Sequence, residues 1–465
     1  MGAEWALAAL DAVSREAMYF AAIGFLIGGL DDLAVDLAWC WTWRARRTLA
    51  VPALLEAYAP TPRRMAVFVA AWEEAEVIGA MLRATLARLD HPDYRLYVGT
   101  YPNDRATIAA VADVAADDLR VRLVIGAHDG PTTKADCLNT LWRALERDEA
   151  RGGGHAAAVV LHDAEDVVHP GELRVFDALI GDHAVVQVPV LPLIDPAATL
   201  ISGHYADEFA EAHAKSLVVR QALGAGLPLA GVGCAIDRAM LDRIALAQAG
   251  LPFDAGSLTE DYELGLHIAG LGGRGVLARV RERPGGPLVA VRAYFPSTLD
   301  AAVRQKARWM TGIALAGWDR IGWTRTLDWR EHWMRMRDRR APLAVLVLAV
   351  AYVALVAWGA SLVAHAVAGV PAPPVSPAME LLLRVNAALL GWRLGSRALF
   401  TGFAYGWREA LWSLPRALVA NLVALLAARR AVTAYARSLR GGALTWDKTH
   451  HVFPDDVVAR RESEA

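Results

Sequence analysis

Cysteine and net charge are both scarce in this sequence. Its 465 residues include 3 cysteines, none in CxxC spacing, and carry a formal net charge of −2. The first shortage excludes a disulfide scaffold and argues against a structural zinc site. The second gives no support to a nucleic acid as partner. Hydrophobic residues, by contrast, make up 55% of the chain, and the mean hydropathy is +0.27. A soluble enzyme does not need so apolar a composition, so we expect a membrane-attached protein with a globular body.

Two apolar stretches have the length of a membrane-spanning helix, which requires about 20 residues. The first covers 17–43 and contains Asp31, Asp32 and Asp36, whereas the second covers 342–365 and is uncharged until its end. Acids rather than a positive region precede the first stretch, so we predict an anchor helix and not a signal peptide. Its acids are expected to lie near the membrane interface or to pair with an arginine of a later helix. A polar translocation path is the alternative.

Arginines flank the long middle region on both sides, which places residues 44–341 in the cytoplasm. Of two later apolar stretches, 379–403 and 410–428, we expect one to cross the membrane and the other to lie flat as an interfacial helix. This gives three spans and a tail that returns to the cytoplasm. The predicted division of the chain is an anchor (1–43), a catalytic domain (44–325), a basic juxtamembrane segment (326–341), membrane and interfacial helices (342–428) and a cytoplasmic tail (429–465).

Residues 65–300 alternate short apolar runs with amphipathic stretches. MAVFVAAW, RLYVGTY, VRLVIGA, AAAVVLHDAED and AVVQVPVLPL have the length of buried strands, and EEAEVIGAMLRATL has helical spacing. Strands separated by helices predict a mostly parallel sheet in an α/β domain. Ligands bind such sheets outside the carboxyl ends of the strands. The polar residues that directly follow these runs are therefore the first candidates for a functional site.

Acidic side chains follow three of these runs. Glu73 and Glu74 follow the first run, Asp104 follows the second, and Asp163 and Glu165 follow the fourth. Carboxylates at strand ends can hold Mg²⁺ or Mn²⁺ and leave coordination positions for a diphosphate. The last pair is also typical of a solvated turn before a helix, so the pattern alone leaves both interpretations open.

Two further clusters lie closer to the second membrane stretch. Glu260 and Asp261 in LTEDYELG precede a helical pattern, where they could also be the acids of a capped first turn. The segment VRQKARWMTG places Gln305, Arg308 and Trp309 on one helix face. That face also fits a basic amphipathic helix on the membrane surface. Neither cluster indicates a function by itself.

The order of these elements is more informative than any one of them. An aspartate after the second strand, DAE after a later strand, TED and QxxRW follow one another between membrane segments. The series resembles glycosyltransferase family 2, in particular its membrane-embedded inverting enzymes related to cellulose and hyaluronan synthases, over about residues 62–320. VGTYPNDRAT, GPTTKADCLN, HDAEDVVHPGELR and TWDKTHHVFP are similar to segments of the phage-adsorption protein B family, whose members are inner-membrane glycosyltransferases that help build a surface polysaccharide.

The resemblance implies a GT-A fold, which is Rossmann-like with a mostly parallel sheet, flanked by transmembrane helices. It also implies residue roles. Asp261, beside Glu260, corresponds to the general base, and Gln305, Arg308 and Trp309 correspond to the element that closes over the diphosphate and the acceptor. Nucleotide contacts are expected at Ala71, Glu73, Glu74, Asp104, Lys134, Asp136 and Asp163.

The metal and diphosphate site of the family is an Asp-x-Asp motif, and Asp163 and Glu165 stand at its two acidic positions. The second acid is one methylene longer here, and Asp166 could take its place. His162 adjoins this motif and is expected to support it. His155, His169 and His183 lie in the same region, but without an HExxH pattern we do not expect a zinc site.

The function implied by the resemblance is that of an inverting glycosyltransferase in the bacterial inner membrane. It would transfer a sugar, expected to be an N-acetylhexosamine, from a UDP-sugar to a growing surface polysaccharide with the help of Mg²⁺ or Mn²⁺. Its partners would be the nucleotide sugar, a glycan acceptor, membrane lipids and an outer-membrane or periplasmic export protein. The alternatives are a non-catalytic scaffold with a glycosyltransferase fold, and a transporter.

The tail motif TWDKTHHVFP contains His450 and His451, and we expect it to fold back near the mouth of the active site. In several members of the family a cyclic-di-GMP-binding domain follows this motif. The sequence ends shortly after it, so we expect this chain to lack that domain and its control by the nucleotide.

Overall fold

The computed structural model describes residues 2–42, 50–58, 61–324, 327–441 and 451–454. The described strands are β1 (Met65–Ala70), β2 (Tyr94–Thr100), β3 (Val121–Ile125), β4 (Ala158–His162), β5 (Val185–Gln187), β6 (Cys234–Asp237) and β7 (Gly275–Leu277). The described α-helices are α1 (Gly2–Thr42), α2 (Val51–Tyr58), α3 (Ile78–Arg88), α4 (Arg105–Asp117), α5 (Lys134–Asp148), α6 (Glu172–Leu179), α7 (Ile201–Glu211), α8 (Leu217–Ala222), α9 (Arg238–Ala247), α10 (Glu260–Gly270), α11 (Leu299–Met310), α12 (Ala316–Ile321), α13 (Trp329–Arg339), α14 (Ala341–Ala368), α15 (Pro377–Tyr405) and α16 (Trp407–Ser438).

The strands form one mixed, mostly parallel sheet in the order β3-β2-β1-β4-β6-β5-β7. β1 to β4 run parallel to their neighbours, and β6 is antiparallel to both β4 and β5. The carboxyl ends of β1, β2 and β4 therefore meet at one edge of the sheet, where antiparallel β6 begins. This edge is where ligands bind to sheets of this kind.

The sheet is buried on both faces, as its apolar runs predict. Alternate side chains of β1 enter two different cores: Val67 and Val69 join one core, and Phe68 joins the other. The first core also includes side chains of α3, α4 and α6, whereas the second includes side chains of α5, α9 and α10. The result is a three-layer α/β/α domain, which confirms the predicted fold class.

The five strands predicted from apolar runs are β1 to β5, and the QxxRW segment is helical as expected, within α11. The predictions did not include β6 and β7, which have four and three residues. Such short strands carry too few alternating positions to be distinguished from loop by periodicity.

Three of the described helices are long and apolar enough to cross a membrane, namely α1 from Glu4 onward, α14 and α16. The pairing of acids and arginines expected for the first helix is present. Asp31 and Asp32 of α1 both form ion pairs with Arg337 and Arg340, at the junction of α13 and α14. These contacts compensate the charge of the acids and join the two helices at one end.

α15 runs alongside α1 in the same direction. Ser376, which caps α15, contacts Tyr19, and Trp392 further along α15 donates a hydrogen bond to Asp36, 2.7 Å away. α16 instead packs against α7 and α11 of the α/β domain, through Val423 and Ala427 among others. The two helices that the sequence left undivided thus have different neighbours: α15 joins the helices before the domain, and α16 covers the domain itself.

Candidate active site

A cavity of 670 Å³ lies at the carboxyl edge of the sheet. It is enclosed by the loops after β1 and β4, the loop before β6, the start of α10, the middle of α11 and residues 451–453. Nine of the predicted site residues line it: Glu74, Lys134, Asp163, Glu165, Glu260, Asp261, Gln305, Arg308 and Trp309. The sheet topology brings these distant segments together.

Four predicted residues, Ala71, Glu73, Asp104 and Asp136, do not line this cavity. Asp104 caps α4 by accepting from the backbone of Thr107, and it also accepts from the backbone N–H of Glu73 at 2.6 Å. Its carboxylate therefore holds the loop after β1 in place. Ala71 is fully buried, and Asp136 lies in the first turn of α5. The structure places these four residues beside the cavity as its support.

Lys134 and Asp163 form an ion pair on one side of the cavity. Nζ of Lys134 lies 2.5 Å from Oδ1 of Asp163 and donates to the carbonyl oxygen of Gly231 at 3.2 Å. Burial would raise the pKa of Asp163, but the charge of Lys134 outweighs it and lowers that pKa below its usual value. The pKa of Lys134 is raised by the same partner against the effect of burial. Both groups are therefore charged at neutral pH.

His451 lies between two acids of the cavity. Its Nδ1 is 2.8 Å from Oε1 of Glu74 and 3.3 Å from Oε2 of Glu165. Burial opposes the charged imidazole, but Glu165 and Glu74 raise the pKa of His451 to about 9. Burial also raises the pKa of Glu165 to about 8. Two residues further on, Phe453 is 6% exposed and packs in the main core.

The tail motif thus folds back onto the site, as its sequence predicted, and His451 contributes a cation to it. His450, the other histidine of that motif, lies outside the described residues. Residue spacing gives no indication of the contact, because His451 and Glu74 are 377 positions apart. The motif itself was the only available signal.

His162 is held below the DAE motif by two acids. Its Nδ1 lies 2.9 Å from Asp166 and its Nε2 lies 2.9 Å from Glu172. Burial opposes the charged ring, yet these carboxylates raise the pKa of His162 to about 10. Oδ2 of Asp166 also accepts from the backbone N–H of Asp163 at 3.0 Å. That oxygen is already engaged, so Glu165 is the better placed of the two acids to accompany Asp163.

Glu260 and Asp261 open α10 opposite Lys134. Burial raises the pKa of Asp261, and burial together with the charge of Asp261 raises the pKa of Glu260 to about 7. Thr259 has the N-cap position but makes no side-chain capping bond. Simple helix capping therefore does not explain this cluster. The two carboxylates instead form a buried pair that holds a proton more readily than ordinary acids do.

A glycine permits the close approach of α10 to the loop before β6. Gly231 has φ +75°, and a Cβ atom there would lie 2.5 Å from Oδ2 of Asp261. The missing side chain lets the carboxylate of Asp261 reach the cavity wall directly above the carbonyl that Lys134 contacts.

The helix α11 brings Gln305, Arg308 and Trp309 to the cavity as one face. Trp309 packs edge-on against Tyr205 of α7, with ring centroids 6.1 Å apart. Oε1 of Gln305 is buried without a hydrogen-bond partner among the described residues. A buried polar atom of this kind is costly unless a ligand satisfies it, so it indicates a binding surface.

The residues around the DAE motif fit a divalent cation that shares its coordination with a substrate. No group of three or more His, Cys, Asp or Glu side chains is arranged to hold a metal ion within the described part of the chain. Asp163 and Glu165 nevertheless offer carboxylate oxygens to one cavity. Mg²⁺ is commonly bound by one or two carboxylates together with substrate phosphates. Such an ion would replace part of the present contacts of Lys134 and His451.

Comparison with known proteins identifies the family. The profile described as Glycosyltransferase like family 2 matches residues 62–312, which is more than half of the chain. The chain belongs to this glycosyltransferase family. Its α/β domain is accordingly a glycosyltransferase domain, and the matched range contains every predicted site residue between Ala71 and Trp309.

Two curated relatives are Bacteriophage adsorption protein B of Escherichia coli K12 and Bacteriophage N4 adsorption protein B of Escherichia coli O157:H7. The glycosyltransferase is 34% identical to each over 459 residues, an alignment that covers 93% of this chain. It spans only 61% of the length of these relatives.

Among solved structures, the mannosyltransferase PcManGT from Pyrobaculum calidifontis, determined with GDP-Man and Mn²⁺, has a TM-score of 0.51. The match covers 88% of this chain and 99% of that protein at 19% identity. It confirms the GT-A fold expected from the sequence, together with the arrangement of the helices that accompany it.

Proposed function

We propose that this protein is a membrane-bound inverting glycosyltransferase that transfers an N-acetylhexosamine from a UDP-sugar to a surface glycan. The carrying observation is the cavity itself. It places a buried acid pair, Glu260 and Asp261, in the same space as Asp163, Glu165 and a cationic helix face. A base for the acceptor and charges for a leaving diphosphate are the two requirements of direct glycosyl transfer.

Asp261 is the proposed general base. A hydroxyl group of the acceptor is a weak nucleophile, and a carboxylate within hydrogen-bond reach takes its proton as the new bond to the anomeric carbon forms. The raised pKa of Asp261 suits this task, because the carboxylate gains basicity while Lys134 keeps it largely ionised. Attack opposite the leaving group inverts the anomeric centre without a covalent intermediate.

The leaving diphosphate gains negative charge as the sugar–phosphate bond breaks. Lys134 and Arg308 both line the cavity and can stabilise that charge. Asp163 and Glu165 would hold a divalent ion, which supplies further charge stabilisation when bound. Gln305 and Trp309 would close the site over the diphosphate and the acceptor, using the unsatisfied Oε1 atom of Gln305.

We further infer that α1, α14 and α15 are the membrane-crossing helices and that α16 lies at the interface. His451 contacts Glu74 and Glu165, so the end of the chain is on the same side as the catalytic domain. Only one of α15 and α16 can then cross. The packing of α15 alongside α1, and of α16 against α7 and α11, supports α15 in this role. The basic flanks support a cytoplasmic catalytic domain in the inner membrane.

The printed names of the curated relatives support a product at the cell surface, because both are bacteriophage adsorption proteins and adsorption takes place there. A surface polysaccharide, with an export protein as partner, is the product that we propose. A scaffold without activity is the competing function. The longer second acid, Glu165, favours it slightly, whereas the complete acid series and the intact QxxRW segment favour an enzyme.

Release of UDP tests the proposed function and its metal dependence together. Purified protein in membranes is incubated with a panel of UDP-sugars and Mn²⁺ or Mg²⁺, and UDP is measured. We expect release from one sugar, loss of release when EDTA removes the metal, and recovery when the metal is restored. UDP binding without release from any sugar would support the scaffold instead.

Gly231→Ala should lower kcat/KM on the order of 10²-fold, because the added Cβ displaces the carboxylate of Asp261. The matched control is Gly224→Ala. Gly224 has the same φ of +75°, but nothing lies within 4 Å of the position of its Cβ. Both variants carry the same backbone strain, so only the contact with Asp261 separates them. Equal losses in the two variants would contradict the prediction.

The pH profile should show an acidic limb above the usual range of an aspartate. The base must be deprotonated, and burial raises the pKa of Asp261 from 3.8, so kcat/KM should fall as the pH decreases through that raised value. Glu260→Gln assigns the limb, since Glu260 itself has a pKa of about 7. A limb that persists in the variant belongs to Asp261, and a rate independent of pH down to pH 4 would refute the assignment.

A further inference from the structure

A second groove, of 890 Å³, adjoins the catalytic cavity and shares Leu258 and Arg308 with it. It lies between α11 and α16, whose side chains provide nearly all of its lining. The groove is strongly basic: five arginines line it, against a single acid, Asp300. The acid already forms an ion pair with Arg304. The remaining cationic charge is therefore available to a ligand.

The basic side chains stand on one end of α16. Arg429 and Arg437 are exposed and form no ion pair with any described residue. Unpaired arginines that face one groove repel each other, and an anion between them removes that cost. Their planar guanidinium groups match the oxygens of a phosphate particularly well.

The rest of the groove is apolar. Ala307 and Ala431 are buried in its wall, and Val303 and Leu426 are half-buried. A wall of this kind with arginines at its exposed edge suits an amphipathic ligand rather than a free ion. The groove therefore combines a surface for a hydrocarbon chain with a site for an anionic head.

α16 also presents an apolar stripe to its surroundings. Leu411, Leu414, Leu418 and Leu422 are each at least 42% exposed and recur every three or four residues, which is the spacing of one helix face. The helix therefore turns an apolar face outward and carries its arginines at the following end. Helices at a membrane interface have this distribution, and the arginines then lie at the level of lipid head groups.

We propose that the groove between α11 and α16 binds the phosphate group of a membrane lipid beside the catalytic cavity. This inference rests on the proposed function, because a lipid held next to Arg308 would position the acceptor side of the reaction. Two sources share this chemistry: the head group of a bilayer phospholipid, and the phosphate of a lipid-linked acceptor. A single polyprenyl chain and two acyl chains distinguish them.

The test compares Arg429→Gln/Arg437→Gln with the control Arg408→Gln/Arg440→Gln. The control arginines are exposed on or directly after the same helix and do not line the groove. Detergent-solubilised full-length protein is titrated with farnesyl phosphate and with dioctanoyl phosphatidylglycerol. Farnesol and dioctanoylglycerol, which lack the phosphate, are the matched probes. UDP is titrated in parallel.

We expect wild type and the control variant to bind at least one phosphate-bearing probe, and the groove variant to bind it at least about tenfold more weakly. Tighter binding of farnesyl phosphate identifies a lipid-linked acceptor, and tighter binding of the phosphatidylglycerol identifies a bilayer head group. Equal binding of probes with and without phosphate, or equal weakening in both variants, overturns the proposal. Loss of UDP binding in every protein, wild type included, would instead count against the proposed function, since the lipid titration is read independently.

Discussion

Asp261→Asn should reduce sugar-dependent UDP release by about 10²- to 10⁴-fold, the range that a positioned general base contributes. Asparagine keeps the size of the side chain and can still accept from the backbone N–H of Tyr262, so the start of α10 should remain folded. It cannot take the proton of the acceptor hydroxyl. The same panel of UDP-sugars measures the effect, and UDP titration should show unchanged binding.

Asp242→Asn is the matched control, because Asp242 is a half-exposed carboxylate of α9 outside the cavity. It should release UDP at the wild-type rate. Equal release from wild type and from Asp261→Asn would show that Asp261 is not the base. If neither protein released UDP but both bound it, the non-catalytic scaffold would become the better description.

Arg416→Met should destabilise the protein by about 3–5 kcal/mol, the usual consequence of leaving a buried charge without its partner. Arg416 of α16 and Asp207 of α7 are both fully buried, with 3.3 Å between their charged atoms. Arg416 also pairs with Glu409 and donates to the carbonyl oxygen of Thr199 at 2.8 Å. After the substitution, Asp207 would keep only the more distant contact with Arg397, at 3.5 Å. Thermal unfolding in detergent measures the loss.

Arg408→Met provides the control for this prediction, since Arg408 is exposed near the start of the same helix. Its unfolding midpoint should stay close to wild type. The double variant Asp207→Asn/Arg416→Met should recover part of the stability, because it removes the charge that the single change strands. An unfolding midpoint of Arg416→Met equal to that of the control would show that the buried pair does not hold α16 on the domain.

Local patterns were sufficient for the sheet and for much of the site. The apolar runs predicted β1 to β5 because strands buried on both faces consist of little else. Asp163 and Glu165 were assigned to a strand end, and Gln305, Arg308 and Trp309 to one helix face, from spacing alone. All five line the cavity. The strand β6 has four residues, too few for a periodic signal, so the antiparallel order that completes this edge was not predictable.

Some predicted nucleotide contacts acquired a different place once the loops were in position. Asp104 and Glu73 both follow strand ends, and the sequence treats them like Asp163. The carboxylate of Asp104 instead accepts from the backbone N–H of Glu73 and caps α4. A strand-end position determines the edge of the sheet on which a side chain lies. It does not determine whether the side chain faces a ligand or supports a neighbouring loop.

The sequence by itself determined the fold class, the family and the residue types of the site, because these depend on periodicity and on motifs within short segments. Only the tertiary structure decided the partners: Lys134 with Asp163, His451 with Glu74 and Glu165, and the approach of Gly231 to Asp261. It also paired Asp31 and Asp32 with arginines about 300 positions away. Such contacts depend on how strands and helices pack in space, and the interactions that select them act over a few ångströms whatever the separation along the chain.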